Sequence, residues 1–412
     1  MRFQLVARTG HPDFLDLPWA IPLETWESPR IVEVERGISR HVVRFVEYDG
    51  GLYALKELPQ RPAEREYRLL RNLGSASLPV VKVVGVVSGR AGADGQELDA
   101  VLITRHLDFS LPYRVLFAGR GVPDLQNRLL DALAELLVRL HLGGFFWGDC
   151  SLSNTLFRRD AGALAAYLVD AETAEAHPKL SEGQRLHDLA IAEENIIGEL
   201  LDVEAEIGLP SGVDPEATGA AVRERYNALW SEVTPVDTFA PDERFRIDER
   251  LRRLNQLGFD VEEIEVVASD EGFSLRLDPH VVEPGHHRRR LHALTGLNAQ
   301  ENQARRLLND LARFRDHVSR NEGRPLPESV VVHRWLADVF EPVVAAVPAE
   351  FLHQKLEAAE VFHEILCHRQ HLSEQARKDV PLLEATRSYV DDVLRHVPDE
   401  RAVLVSDSWR MG

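Results

Sequence analysis

Residues 42–58 admit one local structure. Val42–Tyr48 alternates apolar and polar side chains, Asp49-Gly50-Gly51 supplies a turn, and Leu52-Tyr-Ala-Leu-Lys56 resumes as a strand. An Asp-Gly flanked by such runs is a strong hairpin signal. A further strand, Ile31–Val34, precedes the hairpin and reaches it through Glu35-Arg-Gly37-Ile-Ser39-Arg-His41. Runs near 80–88 and 98–105, joined by the glycine-rich turn Ser88–Gly95, bring the expected sheet to five strands. Between them, Glu64-Arg-Glu66-Tyr-Arg-Leu-Leu-Arg-Asn-Leu73 has the apolar spacing of a helix. A carboxylate on that helix can fix the ammonium of Lys56, which closes the hairpin's second strand.

Downstream, Leu125–Leu142 is a strongly periodic helix that stops at Gly143-Gly144. Trp147-Gly-Asp149-Cys-Ser-Leu-Ser-Asn154 follows, and then a short apolar strand ending in Leu168-Val-Asp170. Phosphoryl transfer needs a carboxylate to orient and deprotonate the acceptor hydroxyl, and oxygen ligands to hold magnesium against the phosphates. Asp149, Asn154 and Asp170 are groups of those kinds. One D-x-x-x-x-N means little, because Asp and Asn are ordinary loop residues. Its weight comes from Lys56 and Glu66 standing upstream in the right order.

With Lys56, Glu66, Asp149, Asn154 and Asp170 in sequence, the chain resembles the protein-kinase-like superfamily. Glu64–Leu73 followed by Leu78-Pro79, and Leu136-Leu-Val-Arg-Leu-His141-Leu-Gly-Gly-Phe145 leading into Gly-Asp, resemble its aminoglycoside- and lipopolysaccharide-kinase-like branch. The whole chain, including Leu102–His106 and the tail Ala359-Glu-Val-Phe-His363-Glu, resembles an uncharacterised bacterial family labelled lipopolysaccharide-kinase-like. The resemblance implies ATP and Mg2+ as ligands. It places Lys56, paired with Glu66, on the phosphates, together with Gly37 and Ser39; it gives Asn154 and Asp170 to the metal and makes Asp149 the base. Glu64 competes with Glu66, and Ser39 reads equally well as a plain turn residue. Glu172 is either a second metal ligand or a surface carboxylate. Asp188 matches the aspartate that supports the catalytic loop in kinase folds, against the plainer reading of a helix-start carboxylate. Three features depart from protein kinases: one glycine in the phosphate loop, Asp170-Ala-Glu172 for Asp-Phe-Gly, and Trp147 where the loop histidine stands.

The expected architecture is α+β: a bilobal kinase-like fold with a five-stranded N-lobe, a helical C-lobe and an appended α-rich C-terminal domain. The expected boundaries are 1–29 for an irregular Pro- and Trp-rich cap, 30–108 and 109–240 for the lobes, and 241–412 for the last domain. Within the C-lobe, Leu186, Leu189, Ala190, Ile196, Ile197, Leu200 and Leu201 are expected on one face of a helix over 184–207. Helices are expected over 242–257 and near 298–320, 327–346, 349–371 and 380–396, with a hairpin across Asp270-Glu-Gly272. The formal charge of −19 argues against general nucleic-acid binding, which rests on basic residues displacing counterions. Only two cysteines occur, too few for a disulfide framework. No run approaches about 18 apolar residues, and the N-terminus lacks a signal-peptide core. No membrane insertion and a cytoplasmic location are the expectations.

Two clusters in the C-terminal half invite other chemistry. Glu360-Val-Phe-His363 has the E-x-x-H spacing of di-iron bundles, but no second such pair accompanies it. His363 and His368 lack the spacing of a zinc H-E-x-x-H. A polar helix face is the plainer account. The basic patch over 286–324, His286-His-Arg288-Arg289-Arg290 with Arg305, Arg306, Arg313 and Arg315, could hold an anionic substrate or an RNA phosphate, and solvated helix faces are the plainer account. Residues 241–412 are expected to serve acceptor recognition or homodimer formation. The functional expectation is an ATP-dependent phosphotransferase acting on a hydroxyl acceptor, small molecule or glycan, since no A-P-E segment follows Asp170. A pseudokinase scaffold and a nucleotidyl transferase are the alternatives.

Overall fold

A computed structural model of the 412-residue chain describes residues 3–34, 41–113, 125–210, 212–234, 238–239, 259–261, 265–269, 272–276 and 282–397. The expected helix over 242–257 lies outside these. The chain divides into two compact units. Of the described residues, the first comprises those up to Phe157 and Ala166–Leu229; the second comprises Arg158–Ala165 and those from Trp230 onward.

In the first unit, β1 (Gln4–Ala7), β2 (Ile31–Val32), β3 (Val42–Tyr48), β4 (Gly51–Leu58), β5 (Lys82–Ser88) and a later strand over 100–105 form one antiparallel sheet. Helix α1 (Gln60–Ser75) packs on it, burying Ala63, Glu66, Tyr67, Leu69, Leu70 and Leu73. A two-stranded ribbon, β6 (Arg90–Ala91) with β7 (Glu97–Leu98), precedes β8 (Ala100–Arg105), and the sheet order is β1-β5-β8-β4-β3-β2. The five expected strands are present. The sixth, β1, comes from the segment read as an irregular cap. It fits because Gly85 is bare: a Cβ there would meet the Val6 carbonyl oxygen at 2.4 Å.

Strand alternation separates the two faces of β4. Tyr53 and Leu55 join Phe14, Leu17, Trp19, Leu23 and Trp26 in one apolar cluster, while Lys56 reaches Glu66 of α1. Each fully buried large side chain of that N-terminal segment contributes about 1.5–3 kcal/mol. Arg90, 1% exposed, pins the segment to the sheet. Its guanidinium donates to Glu57 (2.6 Å) and to the carbonyls of Trp19 (3.1 Å), Ile21 (2.5 Å) and Asp99 (2.7 Å).

Beyond the sheet come β9 (Ser110–Pro112), α2 (Leu125–Leu142), β10 (Phe145–Phe146), the hairpin β11 (Thr155–Asp160) and β12 (Ala163–Leu168), β13 (Glu175–Ala176), α3 (Glu182–Ile207) and α4 (Pro215–Val233). Helix α2 is buried nearly all round, which its leucines allow. It ends where Gly144 takes φ +78°, with the His177 carbonyl 2.2 Å from any Cβ added there. Ser181 and Gln184 close a capping box at the start of α3. The buried stripe of α3 is Leu189, Ala192, Ile196, Leu200 and Val203; Leu186 and Leu201, expected on it, are 44% and 50% exposed. The bond from Val81 N to the Leu168 carbonyl (3.0 Å) and that from Leu168 N to the Pro79 carbonyl (3.0 Å) hold the end of β12 beside the segment leading into β5.

The second unit contains α5 (His286–Thr295), α6 (Glu301–Glu322), α7 (Glu328–Trp335), α8 (Glu341–Ala345), α9 (Ala349–Gln354), α10 (Ala358–Ala376) and α11 (Leu382–Asp392). Its core gathers Trp335, Phe340, Phe362, Leu307, Val361 and Tyr389. A π-helical turn, Leu336–Phe340, separates α7 from α8, where Pro342 has no N–H to return to the preceding turn. The expected hairpin pairs Glu265–Ser269 with Gly272–Arg276, Ser269 opposite Gly272. The helix expected over 349–371 is broken at Lys355–Glu357, and the basic run His286–Arg290 lies on α5. The tip of the β11–β12 hairpin belongs to this unit. No helix among the described residues is long and apolar enough to cross a membrane.

Candidate active site

Lys56 is the hub of a buried charge cluster in the first unit. Its Nζ donates to Asp170 Oδ2 (2.7 Å) and Glu66 Oε2 (3.0 Å), and Glu172 Oε2 lies 3.5 Å away. Burial acts to lower the lysine's pKa, but Glu66 and Asp170 overcome it and hold the ammonium above its usual range. Burial likewise acts to raise Asp170, and Lys56 overrides it, keeping that carboxyl below its usual range. Glu66 is 1% exposed, and its other oxygen accepts from Ala171 N (3.3 Å). One side chain of α1 thereby fixes both Lys56 and the backbone just after Asp170. Asp170 Oδ1 accepts from Glu172 N (2.9 Å), and Glu172 Oε2 lies 2.8 Å from His41 Nε2. Arg65 donates to the carbonyls of Glu172 (3.1 Å) and Ala174 (2.9 Å).

The loop 147–154 is held by side chains of α3. Asp188, 0% exposed, accepts from Trp147 N (2.7 Å) and Gly148 N (2.8 Å), and its Oδ2 lies 3.0 Å from His141 Nε2. Glu199 accepts from Leu152 N (2.7 Å) and Ser153 N (3.0 Å). Asn195 donates to Asp149 Oδ1 (3.2 Å) and the Cys150 carbonyl (3.1 Å). Asn154 Nδ2 donates to the Asp149 carbonyl (3.0 Å) and Asp149 Oδ2 (3.2 Å), which leaves its Oδ1 as the end to offer a metal. Amide donors therefore meet both oxygens of Asp149 and fix the plane of its carboxylate.

Trp147 does not disturb this loop. Its indole, 0% exposed, donates to the Asp170 carbonyl (3.0 Å), tying the loop to the segment that follows β12. Val169 N donates to the Asn154 carbonyl (3.0 Å), a second tie. Lys56, Glu66 and Asp170 thus meet directly, Asp149 and Asn154 meet directly, and these two ties join the groups. Gly37 and Ser39 lie outside the described residues. Asn195 and Glu199 were missed by the sequence reading, yet a signal existed: with Asp188 they fall at i, i+7 and i+11, one polar stripe along α3.

Asp170 and the Asn154 amide supply oxygens of the kind hard cations take, while the carboxylates of Glu66, Asp170 and Glu172 are arranged around the Lys56 ammonium rather than around a cation site. Glu360, His363 and His368 do not converge in this way. Glu360 turns to Ala161 N and Gln303, His363 lies against Cys367 Sγ (3.6 Å), and His368 Nε2 lies 2.9 Å from Ser388 Oγ. Among the described residues, no group of three or more His, Cys, Asp or Glu is arranged to hold a metal ion.

Residues 50–196 match the model of the lipopolysaccharide kinase (Kdo/WaaP) family. That places this stretch in the lipopolysaccharide-kinase-like branch of the kinase-like superfamily. Residues 228–394 match a domain of unknown function, DUF4032. No curated protein matches the chain. Among solved structures it is similar to WaaP in complex with acyl carrier protein, at 19% identity over 55% of this chain and 88% of that one, TM-score 0.34. It is similar to an aminoglycoside-3'-phosphotransferase of type VIII at 17% identity over 49% and 86%, TM-score 0.30. A third is the Rio2 kinase-ADP/Mg2+-phosphoaspartate complex from Chaetomium thermophilum, at 17% identity over 48% and 71%, TM-score 0.29. At such scores no correspondence of residues is drawn.

Proposed function

We propose that this protein is an ATP-dependent phosphotransferase of the cytoplasm, acting on a hydroxyl acceptor of small-molecule or glycan class. The observation that supports it most is the Lys56 ammonium gripped between Glu66 and Asp170, beside a loop whose Asp149 is held by two amides. In this reading Lys56 binds the phosphates, Asn154 and Asp170 hold Mg2+, and Gly37 and Ser39 belong to the phosphate loop. Bound magnesium-ATP supplies the γ-phosphoryl group and neutralises its charge. Asp149 accepts the acceptor hydroxyl's proton, and Asn154 and Asn195 keep its carboxylate aimed. Residues 30–108 and 109–240 act as the two lobes, 1–29 as the cap, and 241–412 serves the acceptor or self-association.

Incubating the protein with a cell extract and ATP labelled at the γ- or the α-phosphate tests this. Transfer of γ label, lost in Asp149→Asn, is the expected result. Transfer of α label instead would make it a nucleotidyl transferase. Binding of ATP without transfer of either label, across extracts, would make it a pseudokinase.

A further inference from the structure

A β-hairpin tip ordinarily points to water, because its turn exposes backbone polar groups. The tip of the β11–β12 hairpin does the opposite. Asp160 is 2% and Ala161 7% exposed, and the turn uses positive φ at Ala161 (+49°) and Gly162 (+87°). Asp160 accepts from Asn302 N (3.0 Å), Asn302 Nδ2 (3.2 Å) and Gln303 N (2.8 Å), satisfying orphan amides in the first turn of α6. Gln303, 0% exposed, donates through Nε2 to the Arg159 carbonyl (3.1 Å), Glu357 (2.8 Å) and Glu360 (2.8 Å). Glu360 also accepts from Ala161 N (2.8 Å), and Arg158 pairs with Glu357. Every polar group named here belongs to the second unit.

The other end of the hairpin is chemistry. Asn154 immediately precedes β11, and only Val169 separates β12 from Asp170. The bond from Val169 N to the Asn154 carbonyl closes the base between them. From this arrangement we infer that the hairpin is a lever by which the C-terminal unit sets the spacing of Asn154 and Asp170, with Asp160, Gln303 and Glu360 as positioning residues. The inference rests on the proposed function, in which those two residues hold Mg2+. It gives the segment matching the domain of unknown function a definite role, because without its grip the hairpin arms lose the register that presents both oxygen ligands together. Burial raises the Glu360 carboxyl to about 8, so its neutral form prevails at neutral pH, and glutamine is its near isostere.

The test is the Mg2+ concentration that gives half-maximal ADP binding to the full chain, read by calorimetry. Gln303→Ala and Glu360→Ala should each raise it about tenfold, the scale of losing an outer-shell support. Glu360→Gln, which keeps the acceptor oxygen, should stay near the wild-type value, whereas Glu360→Met, which keeps the volume but not the acceptor, should raise it as alanine does; a methionine variant that stays near wild type would refute the positioning role. Asp170→Asn is the control for the metal assignment. If Asp170→Asn shifts the Mg2+ requirement but folded Gln303→Ala and Glu360→Ala do not, the lever is refuted and the proposed function stands. If Asp170→Asn changes nothing, the metal assignment falls and the lever falls with it. Should the alanine variants fail to fold, Asp160→Asn, which keeps one acceptor oxygen, replaces them under the same two outcomes.

Discussion

Among the described residues, each unit buries one glutamate, and the two are used in opposite ways. Glu66 is 1% exposed and Glu360 is 2% exposed, and burial pushes both carboxyls upward. Glu66 faces the Lys56 ammonium, which Asp170 and Glu172 also approach, so its surroundings carry charge. Among the described residues, the donors that Glu360 meets are neutral, Ala161 N and the Gln303 amide. An unbalanced buried charge cluster is costly unless a ligand completes it, whereas a satisfied amide-carboxyl network is complete in itself. A buried carboxylate alone therefore says little about function; the charge left over in its surroundings says more.

The comparison breaks most sharply at Asp149. Asp149→Asn should lower turnover by about 10²–10⁴-fold, the range for losing a general base. ATP affinity should stay near wild type, because Asp149 touches neither Lys56 nor its partners in the contacts above. Equal loss of ATP binding, measured by calorimetry, would show that the loop and the Lys56 cluster are not separable.

Glu66→Gln is the next largest. An amide can still accept from Lys56, but above about pH 8, where burial no longer keeps Glu66 neutral, the ammonium loses a charged partner, worth about 1.5–3 kcal/mol or tenfold and more in rate. Turnover should fall accordingly while the melting temperature moves little. Glu360→Gln should do neither, since its partners are neutral. If the two substitutions behave alike, the contrast between the glutamates is wrong.

The pH dependence of stability sharpens the same contrast. The folded Glu360 pKa of about 8 lies above its ordinary 4.5 because burial penalises the charge; the nearby carboxylates of Glu364 and Asp160 add to it. A group with a raised folded pKa contributes fully below its unfolded pKa, and that contribution is lost as pH climbs through the folded one. Wild type should therefore lose stability between pH about 5 and 8, at most ~3–5 kcal/mol from this group. Melting curves across that range should be flatter for Glu360→Gln than for wild type. Equal slopes would show that Glu360 is not buried as described.

What the sequence made legible was whatever local order encodes. Lys56 lies on a strand set by an Asp-Gly turn, and Glu66 lies on an amphipathic helix directly after it. Asp149 and Asn154 share a loop that follows the glycine end of α2. The hidden features are long-range. β1 needs the bare backbone of Gly85, far along the chain, and Arg90 sits in what reads as a glycine-rich turn while its partners include carbonyls of the N-terminal segment. The run 349–371 has helical spacing, yet it breaks at Lys355–Glu357, where Glu357 serves Arg158 and Gln303 instead. Tertiary contacts outweighed propensity there. On α3, apolar periodicity alone places Leu186 and Leu201 inside, because it does not reveal that the polar stripe Asp188, Asn195 and Glu199 is the face that meets the loop.

The smallest expected effect separates a local cap from a remote one. Ser181 caps α3 within its own capping box, a pattern readable as S-x-x-Q, and its group is exposed. Ser181→Ala should cost about 1 kcal/mol. The first turn of α6 takes its carboxylate from Asp160, more than a hundred residues earlier in the chain and buried. Asp160→Ala leaves one buried donor, Gln303 N, and two half-buried ones on Asn302 without this acceptor, and a buried donor left unpaired costs about 1–3 kcal/mol. Urea melts of the two variants measure the difference. Ser181→Ala should shift the midpoint slightly, and Asp160→Ala should shift it by clearly more. A Ser181→Ala cost equal to that of Asp160→Ala would mean that water reaches the hairpin tip and satisfies α6, against the burial seen at Asp160.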